Sequence, residues 1–213
     1  MARSSLLLAT RSGHKAAEVA RILEPLGFRL ESLADRAIEE TPEEQAIEAF
    51  DTFRENATAK ARHFARLAAA VALADDSGLR VDALGGAPGV RTRRFSGRED
   101  LAGQDLDDAN NATLLERLKG VPDDQRGARY VCCAAVAWPD GRSLLALGTV
   151  AGRIAREPRG DGGFGYDPLF HVPALGARFA EVPAAVKDAS SHRARAFRAL
   201  ASALQAAPWP LRD

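Results

Sequence analysis

Two adjacent carboxylates, Asp75 and Asp76, followed by the hydroxyl of Ser77, are the residues of this sequence best suited to do chemistry. An apolar run precedes them and Gly78 follows, so we expect a short buried strand that ends in a turn where the carboxylates begin. Side chains at the carboxyl end of a strand lie where α/β sheets bind ligands. Carboxylates there could bind a metal ion or deprotonate a water molecule. A turn whose carboxylates only cap backbone amides explains the same residues.

The first predicted strand, residues 5–9, leads into a second candidate site. A helical pattern of apolar residues begins at Ala16, and the free amides at the start of a helix favour phosphate. The Gly-Lys-Ser/Thr order of a Walker loop is absent. The loop therefore predicts either a phosphate site or an ordinary capped connection with a solvated lysine. Its residues are Thr10, Arg11, Ser12, Gly13, His14 and Lys15.

A long helix is predicted after the second strand, which covers residues 28–33. Thr41 and Pro42 are typical of a helix start, and apolar residues at helical spacing continue to about Ala70. Glu48 lies on this helix or on a turn that breaks it. Taken alone, Glu48 predicts an exposed side chain.

The middle of the chain adds a helix and a hairpin to this frame. Residues 106–118 have the pattern of an amphipathic helix. Two strands, residues 130–138 and 143–154, flank a Pro-Asp-Gly turn. A hairpin among strands joined by helices predicts a mixed sheet.

A glycine-rich segment, residues 159–170, carries Phe164, Gly165, Tyr166 and Asp167. Its glycines match the dinucleotide-binding pattern, but no strand leads directly into it and a proline stands where the helix should begin, so we reject that interpretation. Aromatic side chains on such a loop are suited to stacking on a flat base. A tight turn with its rings in the core is the alternative.

Three potential hydrogen-bond donors, Lys187, His192 and Arg193, lie where the last helix is predicted to begin. Positive charge near a helix N-terminus is unfavourable unless an acceptor or an anion lies there. The cluster therefore indicates either a ligand or three solvated side chains.

The composition limits the class of protein. The 213 residues are 46% hydrophobic, enough for one domain of two lobes over residues 1–213. Lys and Arg together number 29, as do Asp and Glu, so bulk charge favours neither nucleic acid nor a membrane surface as a partner. The apolar runs are too short to span a bilayer and no signal-peptide pattern precedes the first strand, so we expect a cytoplasmic protein with Cys132 and Cys133 reduced.

Four motifs in this order resemble the inosine triphosphatase (Ham1) family of non-canonical purine nucleotide pyrophosphatases: LLLATRSGHK, LADDSGLRVDALGGAPGV, GGFGYDPLF and KDASSHRARA. The resemblance implies an α/β fold with a long mixed twisted sheet flanked by helices, in two lobes with the active site in the cleft between them. It also implies a homodimer that uses Mg²⁺ to hydrolyse ITP, dITP and XTP to the monophosphate and pyrophosphate.

The resemblance also implies roles for single residues. The phosphate loop falls on residues 10–15, with Ser12 where the family has Asn. Asp76 corresponds to the catalytic base and, with Glu48, to a metal ligand, although Asp51 or Glu44 could take the place of Glu48 in this altered stretch. Ser77 corresponds to a substrate contact. The residues that correspond to base recognition are Phe164, Gly165, Tyr166, Asp167, Lys187, His192 and Arg193.

Three other functions stay open from the sequence. A pyrophosphatase of the Maf type would prefer pyrimidine or modified nucleotides. A regulatory module that binds nucleotides without turnover would fit the altered Ser12 and the irregular stretch around Glu48. A dehydrogenase built on the glycine pattern would bind NAD and need no magnesium.

Overall fold

The structure is a computed structural model that describes residues 5–42 and 44–206. In this part of the chain no helix is long and apolar enough to cross a membrane. The strands are β1 (Ser5–Leu8), β2 (Arg29–Ser32), β3 (Ala72–Val81), β4 (Gly127–Ala137), β5 (Ser143–Ile154), β6 (Phe170–Val172) and β7 (Ala177–Arg178). The α-helices are α1 (Gly13–Leu23), α2 (Glu44–Ile47), α3 (Phe53–Leu67), α4 (Gly103–Arg117), α5 (Ala184–Ser190) and α6 (His192–Ala206).

The strands form one mixed sheet in the order β2-β1-β3-β4-β5-β6-β7. β1 pairs in parallel with β2 and β3, whereas β6 pairs antiparallel with β5 and β7. A tight turn joins β4 to β5, its neighbour in the sheet, where the Trp138 amide donates to the carbonyl of Arg142. The predicted mixed sheet flanked by helices is confirmed, and so is the hairpin.

The chain divides into two compact units. The first runs to Asp76 and also includes Cys132–Gly148 and the chain from His192 onward. The second consists of Ser77–Val131 and Thr149–Ser191. The assignment of residues 1–213 to a single domain of two lobes stays a prediction.

Helices cover both faces of the sheet in the first unit. Successive side chains of a strand point to opposite faces, so Leu6 and Leu8 pack in a buried cluster with α1 and α6, whereas Leu7 packs in one with α3. β3 follows the same rule, with Leu73 in the first cluster and Ala74 in the second. The strand that carries the carboxylate pair is therefore held between two helical layers.

The second unit has its own core, in which α4 packs against aromatic side chains of the sheet. Leu114 of α4 is fully buried in a cluster with Tyr130, Phe170 and Phe179. The ring of Phe170 lies 4.5 Å from that of Tyr130 and 5.5 Å from that of Phe179. Burying large aromatic rings against each other stabilises this unit through apolar area and ring contacts.

The prediction that β3 ends before the carboxylates is wrong. β3 continues through Asp75, Asp76 and Ser77 to Val81. These residues are poor strand formers, but strand propensity depends strongly on context. Here the strand lies between β1 and β4 in the sheet, and cationic or amide groups of the first unit pair with both carboxylates.

The helix predicted from Thr41 to about Ala70 is divided into α2 and α3, and Glu48 lies in the turn that follows α2, which is one of the two positions that the sequence left open. Thr52 caps α3, its hydroxyl accepting from the amide of Glu55 at 3.1 Å. The side chain of Asn56 accepts from the amide of Phe50 at 3.0 Å and donates to its carbonyl at 3.1 Å. These bonds satisfy the backbone where the helix is interrupted, and helical spacing does not reveal them.

The last predicted helix is divided as well. Lys187 lies on α5, whereas His192 and Arg193 begin α6. Ser191 separates the two helices in an extended conformation, with φ of −67° and ψ of 160°. The predicted donors therefore belong to two elements and to the two different units.

Candidate active site

The carboxylate pair lies just beyond the end of β1. Leu8, the last residue of β1, is paired with Leu73, and β3 continues past it. The loop of residues 10–15 begins at the same place, so the candidate carboxylates and the candidate phosphate loop are neighbours. Asp75 and Asp76, as consecutive strand residues, point to opposite faces of the sheet.

Asp75 is the buried acceptor for two cations. Its side chain is 1% exposed, and its Oδ2 lies 3.3 Å from Lys15 Nζ and 3.3 Å from Arg193 Nη2. Arg193 also forms an ion pair with Glu18 of α1. Burial alone would lower the pKa of Arg193, but the carboxylates of Asp75 and Glu18 hold it above its usual value. The Arg193 guanidinium therefore binds two carboxylates of the first unit.

Asp76 has the properties of a general base. It is 8% exposed, and Asn56 Nδ2 donates to its Oδ2 at 2.9 Å. Burial raises the pKa of Asp76 to about 6, although the charge of Lys15, the Asn56 hydrogen bond and the charge of Lys60 all act to lower it. A carboxylate with this pKa is ionised at neutral pH and is a stronger base than an ordinary aspartate.

Glu48 lies in a turn after α2 and forms an ion pair with Lys60 of α3. Its side chain is 40% exposed, as the sequence taken alone predicts, but the ion pair with Lys60 holds it in place. Burial raises the pKa of Glu48, but the charge of Lys60, the hydrogen bond from Lys60 and the charge of Lys15 together hold the pKa below its usual value. Burial likewise lowers the pKa of Lys60, and the carboxylates of Glu48 and Asp75 raise it above its usual value.

Oxygen ligands for Mg²⁺ could come from the carboxylates of Glu48 and Asp76. Among residues 5–42 and 44–206, no three His, Cys, Asp or Glu side chains converge as a metal-binding group would. Mg²⁺ nevertheless needs only one or two protein carboxylates, because it retains waters and binds substrate phosphates. The charge of Glu48 acts to raise the pKa of Asp76. Both side chains are carboxylates, whose oxygens are the ligands that Mg²⁺ prefers, so the chemistry of the pair suits this ion.

The phosphate loop combines a helix N-terminus with a cation. Ser12 is the N-cap of α1, and its hydroxyl accepts from the amide of Lys15 at 3.4 Å. Thr10 Oγ1 in turn accepts from the amide of Ser12 at 3.2 Å. Gly13 and His14 are exposed. The capped connection and the phosphate site are therefore compatible, because the cap leaves the positive end of α1 beside Lys15.

Arg11 makes contacts that the sequence did not indicate. Its Nη2 lies 2.6 Å from Glu44 Oε1, and its Nε lies 3.1 Å from Glu44 Oε2. It also donates to the carbonyls of Ile38 and Glu39, each at 2.8 Å. Arg11 thus ties the phosphate loop to the segment that leads to Glu48, and its predicted contact with substrate stays a prediction.

The second unit gathers the glycine-rich loop around Asp167. Asp167 forms a buried ion pair with Lys187, and its Oδ2 accepts from the amide of Phe164 at 3.0 Å. Lys187 Nζ also lies 4.8 Å from the centre of the Phe164 ring, in the range of a cation–π contact. Tyr166 is only 3% exposed and donates its hydroxyl to the carbonyl of Thr92 at 2.7 Å. Its ring lies in the core, which is the alternative that the sequence left open.

The predicted residues therefore form two groups. The first unit brings together residues 10–15, Glu48 and Asp76 with Arg193, and it also holds His192, buried at the start of α6. The second unit contains Ser77 on β3 and the cluster of Phe164, Gly165, Tyr166, Asp167 and Lys187.

Sequence reasoning missed three residues that hold the first group in place: Glu18, Asn56 and Lys60. Glu18 and Lys60 each pair with a predicted site residue, and Asn56 contacts Asp76 directly. Asn56 and Lys60 are four residues apart and so lie on the same face of α3, but spacing alone does not show that this face meets the carboxylates. Glu18 and Lys60 looked like the solvated charges that most helices carry.

Comparison with known proteins identifies the family of this chain. The sequence matches the model of the Ham1 family over residues 6–203. A dITP/XTP pyrophosphatase of Mycolicibacterium paratuberculosis is 48% identical over 208 residues, which cover 95% of this chain and 96% of that protein. A dITP/XTP pyrophosphatase of Frankia alni is 46% identical over 201 residues, which cover 94% of this chain and 96% of that protein.

Solved structures agree as well. The structure of a HAM1 protein from Coxiella burnetii has a TM-score of 0.82 and 36% identity, with 96% of this chain and 100% of that chain covered. The Staphylococcus aureus Ham1 protein has a TM-score of 0.79 and 31% identity, with 94% and 98% covered. Sequence and fold therefore agree over nearly the whole length, and the chain belongs to the Ham1 family.

Proposed function

We propose that this protein hydrolyses the non-canonical purine nucleoside triphosphates ITP, dITP and XTP to the monophosphate and pyrophosphate, and so removes them from the nucleotide pool. Relatives that match nearly its full length are named dITP/XTP pyrophosphatases, which favours this reaction over a Maf-type preference. The observation that carries the proposal is Asp76, a buried carboxylate that accepts a hydrogen bond from Asn56 at 2.9 Å and whose pKa is raised by burial to about 6.

Asp76 is the proposed general base. Ionised at neutral pH, it accepts a proton from a water molecule, and the oxygen of that water bonds to the α-phosphorus. The bond from the α-phosphorus to the bridging oxygen breaks, and pyrophosphate leaves with the electron pair. Asn56 keeps Asp76 oriented through its 2.9 Å hydrogen bond.

Glu48 and Asp76 would hold Mg²⁺, supplying the carboxylate oxygens that this ion prefers. The ion would neutralise phosphate charge that otherwise repels a nucleophile. Lys60 forms an ion pair with Glu48 and so positions this carboxylate.

The triphosphate is assigned to the loop of residues 10–15. The negative charge of the triphosphate is complementary to the positive end of α1 and to the ammonium of Lys15. Lys15 is held 3.3 Å from Asp75, so its position is fixed before a substrate arrives. A fixed cation of this kind stabilises developing charge without a cost of reorganisation during the reaction.

The base is assigned to Phe164 and Lys187. An aromatic face can stack on any purine, whereas an ammonium only donates hydrogen bonds and so suits a 6-keto oxygen rather than the 6-amino group of adenine. Lys187 Nζ already lies 4.8 Å from the Phe164 ring centre. Arg193 is also a pure donor, and its proposed contact with the base requires it to share its guanidinium with Asp75 and Glu18.

Two further properties, the location in the cell and the oligomeric state, complete the proposal. We propose a cytoplasmic homodimer, as the resemblance to the family implies. Equilibrium sedimentation of the purified protein tests the dimer, because a single species with the mass of one chain contradicts it.

A substrate panel tests the function. Pyrophosphate release would be measured with ITP, XTP, dITP, GTP and ATP, each with and without Mg²⁺. The proposal predicts rapid magnesium-dependent release from ITP, dITP and XTP and slow release from ATP and GTP. Preferred turnover of pyrimidine nucleotides would favour the Maf-type alternative, and tight binding of ITP without release would make the protein a sensor.

A further inference from the structure

We infer that Asp107 and Asn111 of α4 are positioning residues that hold the glycine-rich loop and thereby set how tightly the base is bound. The inference rests on the proposed function, which places the base at Phe164. We call the two residues the α4 clamp. They are four residues apart, so they lie on the same face of α4.

Both members of the clamp bind the same residue of the loop. The amide of Gly165 donates to Asp107 Oδ2 at 2.7 Å. The carbonyl of Gly165 accepts from Asn111 Nδ2 at 2.9 Å. One side chain thus binds the amide of Gly165 and the other binds its carbonyl. Together they define the orientation of the backbone next to Phe164.

The clamp completes a series of anchors on consecutive residues. Asp167 accepts from the amide of Phe164, the clamp binds Gly165, and Tyr166 donates to the carbonyl of Thr92. Gly165 itself has a positive φ of 63°, and a Cβ there would meet no atom within 4 Å. Open space lies where a side chain would be, and the hydrogen bonds from α4 fix the backbone of this residue.

The composition of the loop explains why such anchoring matters. Glycines at positions 160, 162, 163 and 165 give the free loop many backbone conformations. A loop that must become ordered when its ligand binds loses affinity by the entropy of that ordering. The clamp orders the loop beforehand, so its removal should weaken binding of the base more than it slows the chemical step.

The neighbouring side chains of α4 supply a contrast. Asn110 binds a different segment, accepting from the amide of Ser96 at 2.8 Å and donating to the carbonyl of Arg93 at 3.1 Å. Asp108 is exposed and accepts from Gln104 of the same helix at 2.8 Å. Asp108→Ala is therefore a matched control that removes a carboxylate from α4 without touching the loop.

Steady-state kinetics with ITP test the inference. Asp107→Ala and Asn111→Asp should each raise KM roughly tenfold or more, with kcat at saturation within about threefold of the wild type, as expected for loss of a bond that involves a charged or buried group. Asp107→Asn retains an acceptor and should restore most of the affinity. Asp108→Ala should leave both constants unchanged. Unchanged KM in Asp107→Ala and Asn111→Asp would overturn the inference.

Hydrogen exchange separates this inference from the proposed function, because it needs no turnover. In the intact protein without nucleotide, Asp107→Ala should speed amide exchange in residues 160–167 by roughly tenfold, while Asp108→Ala should not. Loop exchange equal to that of the wild type would overturn the positioning role, whatever the enzyme hydrolyses. An inactive wild-type protein whose loop responds to Asp107→Ala as expected would instead contradict only the proposed function.

Discussion

Asn56 Nδ2 lies 2.9 Å from Asp76 Oδ2, and the same side chain binds the backbone of Phe50 through both of its polar atoms. One amide therefore joins the break between α2 and α3 to the proposed general base. Asn56 is 2% exposed, so solvent does not replace these bonds when they are lost. The position of Asp76 and the fold around Glu48 depend on the same residue.

Asn56→Ala should destabilise the protein by about 2–3 kcal/mol, because it leaves the polar groups of Phe50 and the Asp76 carboxylate without this buried partner. Urea unfolding measures the change. Gln104→Ala, which removes an amide from an exposed pair, is the control and should alter the midpoint little. Equal midpoints for Asn56→Ala and the wild type would mean that the bond contributes nothing.

The raised pKa of Asp76 predicts how stability depends on pH. The folded-state pKa is about 6, above the ordinary aspartate value of 3.8, so the folded protein binds more protons than the unfolded chain between these pH values. The contribution of Asp76 to stability is therefore present below about pH 4 and is lost as the pH rises through 6. In EDTA, Asp76→Asn should be more stable than the wild type at pH 8 by up to about 3 kcal/mol, and this advantage should vanish near pH 4. A stability difference that does not change with pH would contradict the shift.

Arg11 offers a test between positioning and direct substrate contact. The guanidinium of Arg11 binds Glu44 and two carbonyls of the segment that leads to Glu48. Arg11→Met should therefore displace Glu48 and raise the Mg²⁺ concentration needed for half-maximal activity. KM for ITP at saturating Mg²⁺ should change little. Glu44→Gln should shift the Mg²⁺ requirement in the same direction. Arg36→Met, which breaks the exposed pair with Glu31, is the control. A raised KM with an unchanged Mg²⁺ requirement would favour contact with the triphosphate instead.

Two glycines of the base loop should differ in their tolerance of a side chain. Both have positive φ, but a Cβ at Gly163 would collide with the Asp167 carboxylate, whereas one at Gly165 would enter open space. Gly163→Ala should therefore disrupt the Asp167 pair with Lys187 and raise KM for ITP well above the value for Gly165→Ala. The two KM values are compared directly, and equal effects would show that backbone strain alone matters.

The frame of the fold could be predicted from the sequence because it depends on periodicity. Alternating or continuous apolar runs gave the hairpin of β4 and β5, and helical spacing gave α1 and α4. The errors occurred where side chains outweighed local propensity. Asp75 and Asp76 remain in a strand because residues distant in sequence pair with them. Asn56 stabilises the break between α2 and α3, which apolar spacing does not reveal.

The candidate site was predictable to a similar degree. Motif order placed Lys15 and Asp76 in one site, and the structure brings their charges close enough to act on each other. The sequence could not indicate that Glu18 and Lys60 complete the charge balance, because pairing across helices depends on packing rather than on spacing along the chain. The roles assigned to these residues in turnover stay predictions.

The most direct measurement of the central claim is the kcat of Asp76→Asn for pyrophosphate release from ITP at saturating Mg²⁺ and substrate, at neutral pH. Loss of the general base predicts a decrease of roughly 10²–10⁴-fold in a protein that remains folded and still binds ITP. Turnover equal to that of the wild type would contradict the assignment of Asp76 as the base.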